Sequence, residues 1–155
     1  MVIQIDSREK ARAIKKILAE FDKQGIKHYV SMLHTGDYMS LDNPRVIVDR
    51  KQNLTELCSN VCQDHERFRK ELIRAQELGI QLIILCEHGD GIETLEDVLF
   101  WQNPRKKEDN KAMTGEVLYR ILSTQSRKYG VRFEFCTKDE TGKRIVELLD
   151  DSGRD

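Results

Sequence analysis

Gly36-Asp37-Tyr38-Met39-Ser40-Leu41-Asp42-Asn43-Pro44-Arg45-Val46-Ile47-Val48-Asp49-Arg50-Lys51 is the stretch that decides how the chain folds. Asp42-Asn43-Pro44 is turn chemistry. The segments on either side predict two strands, Gly36–Leu41 and Arg45–Lys51, joined as a hairpin. Residues i and i+2 of a strand share a face, so Asp49 and Lys51 project together and Arg50 points the other way. With Asp37 on the partner strand, the three side chains converge. Asp49 follows the apolar run Val46-Ile47-Val48, where burying an unpaired carboxylate costs several kcal/mol. An ion pair with Arg50 or Lys51 is one compensation; a divalent cation shared with Asp37 is another. Two carboxylates with an ammonium beside them are the minimum apparatus for metal-assisted hydrolysis of a phosphodiester.

Working outward, Val2–Ile5 is a short apolar strand ending at Asp6. Ala11, Ile14, Leu18 and Phe21 recur at helical spacing, with Gly25 as the stop. Lys27–Leu33 is strand-like. Leu54, Leu57, Cys58, Val61 and Cys62 make one helical stripe with Asn53 as its N-cap. A second helix runs from about Glu66, with Phe68, Leu72 and Ala75 inward, to Gly79. Ile80–Cys86 is nearly all apolar and predicts a central strand buried on both faces. Leu95, Val98 and Leu99 mark a short helix, and Asn103–Lys111 a charged mobile loop. Val117, Leu118, Ile121 and Leu122 form another helix, Val131–Phe135 a last strand and Ile145–Leu149 a closing helix, with Asp150–Asp155 frayed. The order β-α-β-β-β-α-α-β-α-α-β-α predicts an α/β fold, one mixed sheet with helices on its faces.

The 155 residues suit a single domain. Twenty-six basic against 27 acidic side chains leave a net charge of −1, which by itself argues neither for nor against a nucleic-acid partner. The four cysteines, at 58, 62, 86 and 136, lack zinc-site spacing and suit small buried side chains in a reducing compartment. No signal segment and no membrane-length apolar run is present, so a cytoplasmic protein is expected.

The same segments resemble a family. Asp6-Ser7-Arg8-Glu9, Gly36-Asp37-Tyr38 and Asp49-Arg50-Lys51 are similar to the D-x-R-E, G-D-Y and E-R-K signatures of XPF/Mus-type structure-specific endonucleases, a branch of the PD-(D/E)XK nuclease superfamily. The likeness continues through Leu54-Thr55-Glu56-Leu57, Arg67-Phe68 and Gln81–Cys86. It covers roughly the first ninety residues well. Asp49 stands where the family usually has Glu, and His65-Glu66 precede Arg67 where it has glycine. The resemblance implies a restriction-endonuclease-like sheet with an αβββαβ core. It also implies cleavage of branched, flap or junction DNA in repair or recombination.

Asp37 and Asp49 would hold Mg²⁺ or Mn²⁺, with the carbonyl of Arg50 as a further ligand by resemblance. Lys51 would orient or help deprotonate the attacking water. Asp6 would support the metal through water or cap the first helix. Arg8 would pair with Glu9 or contact phosphate, and Arg50 would contact phosphate or pair nearby. Arg67, Lys70 and Arg74 share one helix face, fit to track a DNA backbone or simply to be solvated. Family members commonly carry a helix-hairpin-helix module, and none follows in these residues; a homodimer or a partner protein is the implied compensation. Two other readings stay open: a non-catalytic DNA-binding or scaffold subunit, and a Holliday-junction resolvase or restriction-like nuclease on the same core.

Overall fold

In the computed structural model, which describes residues 1–151, one six-stranded sheet carries helices on both faces. The strands are β1 (Val2–Ile5), β2 (Lys27–Val30), β3 (Tyr38–Ser40), β4 (Asn43–Lys51), β5 (Gln81–Cys86) and β6 (Arg132–Phe135). The helices are α1 (Lys15–Lys23), α2 (Leu54–Cys62), α3 (His65–Glu77), α4 (Gly115–Tyr129) and α5 (Thr141–Asp151). Asp150 ends α5 as helix, and the expected fraying beyond Asp151 lies outside the described residues.

The sheet order is β2-β1-β3-β4-β5-β6. β1, β3 and β4 form an antiparallel meander. β2 flanks β1 in parallel, and β5 and β6 extend the sheet in parallel beyond β4. The parallel joints need crossovers, which α1, the α2–α3 pair and α4 supply. Although β2, β3 and β4 follow one another in the chain, β1 sits between β2 and β3.

β5 shows why its sequence is uniformly apolar. Leu82, Ile84 and Cys86 enter a core with α2, α3 and α4, while Ile83 and Leu85 enter a second core with α1 and α5. The same alternation on β4 sends Val46 and Val48 toward α1 and α5. Ile47, Asp49 and Lys51 therefore face α2 and α3.

β2 stops at Val30, three residues before the expected end, because side chains take over its backbone. The Asp6 carboxylate accepts the Leu33 N–H at 2.9 Å, and Gln4 Nε2 donates to the Met32 carbonyl at 3.1 Å. Ala11–Ile14 is a 3₁₀ turn leading into α1. The charged stretch expected to be mobile is anchored. Asn103, buried, accepts the Arg105 N–H at 3.0 Å and donates to the Met113 carbonyl at 2.8 Å, around a 3₁₀ turn at Pro104–Lys107.

Candidate active site

Tyr38 pairs with Val48 and Met39 with Ile47. The antiparallel register therefore sets Asp37, which heads β3, opposite Asp49. The Asp37 N–H donates to the Val48 carbonyl at 2.9 Å, and Asp37 Oδ2 accepts the Arg50 N–H at 2.8 Å. Gly36 makes the entry feasible: its φ is +70°, and a Cβ there would collide with the Ile47 side chain and sit 3.2 Å from the Val48 carbonyl.

Asp37 and Asp49 are close enough to share a hydrogen bond, and Asp49 is only 8% exposed. Burial, then the charge of Asp49 and that of Glu9, push the Asp37 carboxyl up to about 9, against the pull of the Arg50 N–H. Lys51 Nζ lies 3.6 Å from Asp49 Oδ2, an ion pair too long for a hydrogen bond, and 6.0 Å from the centre of the Phe68 ring. Burial works against the Lys51 ammonium. The charges of Asp49, Glu56, Asp37 and Glu71 outweigh it and hold the amine above its ordinary value. Lys51 in this state is a cation and a hydrogen-bond donor.

Arg50 points to the opposite face, toward α1 and α5. Its Nε donates to Glu9 Oε2 at 2.8 Å and its Nη2 to Glu9 Oε1 at 3.2 Å, while Nη1 bonds Glu87. The Tyr38 hydroxyl donates to Glu9 at 2.8 Å and the Thr141 hydroxyl to Glu87 at 2.6 Å. One guanidinium thus ties β3, β4, β5 and α5 to the turn after β1. Burial, and next the charge of Glu9, raise the Tyr38 hydroxyl, which keeps it a donor.

Asp6 is buried, with one oxygen on the Leu33 N–H and the other on Arg8 Nε at 2.6 Å. These partners lower its carboxyl despite the desolvation that opposes them. Arg8 also donates to the Leu33 carbonyl at 2.9 Å, so its carboxylate partner is Asp6 rather than Glu9. The Asp6 backbone N–H donates to the Asp37 carbonyl at 2.8 Å, which links this corner to the acid pair.

The structure therefore gathers Asp37, Asp49 and Lys51 on one face, sends Arg50 to the other, and sets Asp6 and Arg8 at the rim. Arg67, Lys70 and Arg74 are exposed on α3. Arg67 and Arg74 lie near enough to Glu71 to pull its carboxyl down. Burial and Asp49 together win and raise it. Glu71 is thus a third acid beside the pair. Its signal was its place four residues after Arg67 on a helix next to the site. Glu56, three residues past the Asn53 N-cap whose side chain its N–H meets at 2.8 Å, is a fourth acid felt by Lys51. Glu87, a carboxylate at the end of an apolar strand, was legible as an oddity but not as the partner of Arg50.

Half-buried Asp37 and buried Asp49, side by side with Lys51 3.6 Å from Asp49, leave excess negative charge, which fits a divalent cation with oxygen donors. Among the described residues no cluster of three or more Asp, Glu, His or Cys side chains surrounds one point. A cation here would thus draw its other ligands from backbone oxygen and water, as Mg²⁺ commonly does.

Residues 5–148 match the ERCC4 domain. The chain belongs to the ERCC4 domain family. This ERCC4 domain has the fold of the XPF from Aeropyrum pernix, at a TM-score of 0.70 and 19% identity over 99% of the chain and 66% of that protein. A second structure, of the same organism's XPF in complex with DNA, matches at a TM-score of 0.67 and 19% identity over 99% of the chain and 65% of its length. The chain thus spans just under two thirds of both. No curated protein matches it. Among the described residues of this ERCC4 domain, no helix is long and apolar enough to cross a membrane.

Proposed function

We propose that the chain is a metal-dependent endonuclease that hydrolyses phosphodiester bonds in branched, flap or junction DNA. The observation that carries this reading is the pair formed by half-buried Asp37 and buried Asp49, facing each other across two strands with Lys51 at 3.6 Å from Asp49. ERCC4 membership supports it, as does the likeness to an XPF whose structure includes DNA. Pairing with a second copy or a partner protein, which the resemblance implies, belongs to the same proposal.

Asp37 and Asp49 would hold Mg²⁺ or Mn²⁺, joined by the backbone carbonyl of Arg50. When bound, the ion polarises the phosphate and makes a water more acidic. The chain's own residues set the stage for this. The Arg50 N–H fixes one oxygen of Asp37, and the carboxyl faces Asp49. β4 holds Asp49 and Lys51 on one face, so the ammonium meets phosphoryl oxygens as their charge grows. Phe68 and the neighbouring acids keep that ammonium in place. Exposed Arg67, Lys70 and Arg74 on α3 would meet backbone phosphates to one side of the scissile bond.

The test is cleavage of labelled single-stranded, duplex, flap, fork and four-way-junction DNA in Mg²⁺, Mn²⁺ and EDTA. Metal-dependent cutting with a preference for one branched form is the expected result. Binding without cutting under every condition would assign the chain to the non-catalytic subunits.

A further inference from the structure

Arg12, Lys15, Lys16 and Lys138 stand around a cavity of about 550 Å³ whose wall includes Arg50 and Gln52. The cavity is built by the 3₁₀ turn before α1, the first turn of α1, the end of β4 and the β6–α5 loop. It lies at the carboxyl ends of the parallel strands β4, β5 and β6, where open α/β sheets take their ligands. Arg50 and Gln52 flank Lys51 in the chain, so cavity and acid pair share the end of one strand and occupy its opposite faces.

The charges at this cavity are unequal in a way that names the ligand. Arg50 is one cation between two carboxylates, Glu9 and Glu87, with the hydroxyls of Tyr38 and Thr141 completing the set. Lys16 is spent on Asp139 at 2.6 Å. Arg12, Lys15 and Lys138 are exposed and, among the described residues, have no carboxylate partner. Three cations without carboxylate partners outweigh a floor that carries one excess negative charge, Arg50 standing between Glu9 and Glu87. On a chain of net charge −1 they form a local site for an oxyanion rather than part of a general basic surface.

We propose that this cavity is a second phosphate subsite, in which Arg12, Lys15 and Lys138 hold backbone phosphates of the DNA strand beyond the scissile bond. The inference rests on the nuclease reading and adds to it. Arg67, Lys70 and Arg74 on α3 lie on the α2–α3 face of the acids, and this cavity lies on the α1–α5 face. The substrate then runs across the end of the sheet and is gripped on both sides of the bond to be cut.

The experiment measures binding of a labelled flap duplex in Ca²⁺ across a salt series, for the wild type and for Arg12→Ala/Lys15→Ala/Lys138→Ala. Cleavage of the same DNA in Mg²⁺ is run beside it. Loss of about three phosphate contacts should flatten the slope of log affinity against log salt by about 2 to 3. Affinity near ~0.1 M salt should fall at least about tenfold, with the loss appearing in KM rather than kcat. Should the triple alanine variant melt early, Arg12→Gln/Lys15→Gln/Lys138→Gln repeats the comparison with the side-chain length kept. A wild type that cuts DNA, with variants that match it in slope and affinity, overturns the subsite and leaves the nuclease reading intact. A wild type that binds no DNA overturns both. Tripolyphosphate bound by the wild type and lost in the variants, with DNA affinity unchanged, would assign the cavity to a small phosphate ligand and overturn the DNA subsite.

Discussion

Asp37 and Asp49 face each other across β3 and β4, close enough to share a hydrogen bond, with Lys51 3.6 Å from Asp49 to oppose their charge. A folded protein keeps such a pair when a cation or a proton separates the charges. Without a divalent ion the proton does so, and the Asp37 carboxyl is held up to about 9 from an ordinary 3.8. The folded chain then binds more protons than the unfolded chain between those values, so metal-free stability falls as pH rises through that window. Thermal melts in EDTA should drop from pH 5 to pH 9. Mg²⁺ should restore stability increasingly toward the alkaline side, since it displaces the same proton.

Removing one charge should relieve the strain and end the function together. Asp37→Asn keeps an oxygen to accept the Arg50 N–H. It should raise metal-free stability at pH 8 by about 1–2 kcal/mol, or roughly 2–8 °C in Tm. It should also lose the stabilisation that Mg²⁺ confers. Paired melts of both proteins with and without Mg²⁺ measure this; a variant stabilised by Mg²⁺ as strongly as the wild type would count against the pair as the site.

Arg50 should matter to folding more than its place beside the site implies. Its side chain is 7% exposed and bridges Glu9 and Glu87, themselves 9% and 6% exposed. Arg50→Met leaves two buried carboxylates without their cation and should cost about 3–5 kcal/mol. Arg50→Lys should recover little, because a single ammonium cannot reproduce the two-nitrogen grip on Glu9. Urea unfolding of the three proteins gives the comparison.

Gly36 should tolerate no side chain. Its left-handed φ of +70° and the Ile47 side chain both stand against a Cβ. Gly36→Ala should cost about 2–4 kcal/mol. Gly25 has the same φ but open space around it, so Gly25→Ala should cost about 1 kcal/mol. Denaturant midpoints of the two variants separate collision from backbone strain.

Lys51 should serve catalysis and not substrate binding. Lys51→Met keeps the aliphatic stem under Phe68 and should lower the cleavage rate about 10²–10³-fold. DNA affinity in Ca²⁺ should stay within about threefold. Single-turnover rates and anisotropy titrations test the split.

The acid pair was legible in the sequence because two local rules suffice for it. Period-two alternation puts Asp49 and Lys51 on one face, and a hairpin brings Asp37 opposite. It turns at Leu41-Asp42, with Asn43 and Pro44 already in β4, rather than at the expected Asp42-Asn43-Pro44. The double-sided burial of β5 was legible in the same way, from an unbroken apolar run. What stayed hidden depends on distant parts of the chain. Arg50 finds Glu87 across β5 and Glu9 beyond β1, and Thr141 completes the set from α5. No local spacing announces such partners. Glu71 looked like one of several acids on a solvated face until the packing of α3 turned it toward Asp49. β2 looked longer because propensity cannot show that Asp6 will capture the Leu33 N–H and draw the chain off the sheet edge. The strand order too is a tertiary fact: β1 enters between β2 and β3 because α1 carries the chain across the face of the sheet.

The most direct test of the metal-centred acid pair is the rate of DNA cleavage against Mg²⁺ concentration, for the wild type and for Asp49→Asn, with DNA binding measured on the same preparations in Ca²⁺. The account predicts a rate that saturates with Mg²⁺, vanishes in EDTA and falls at least about 10³-fold in the variant, while DNA binding is kept. Cutting by Asp49→Asn at the wild-type rate, or cutting undiminished by EDTA, would contradict it.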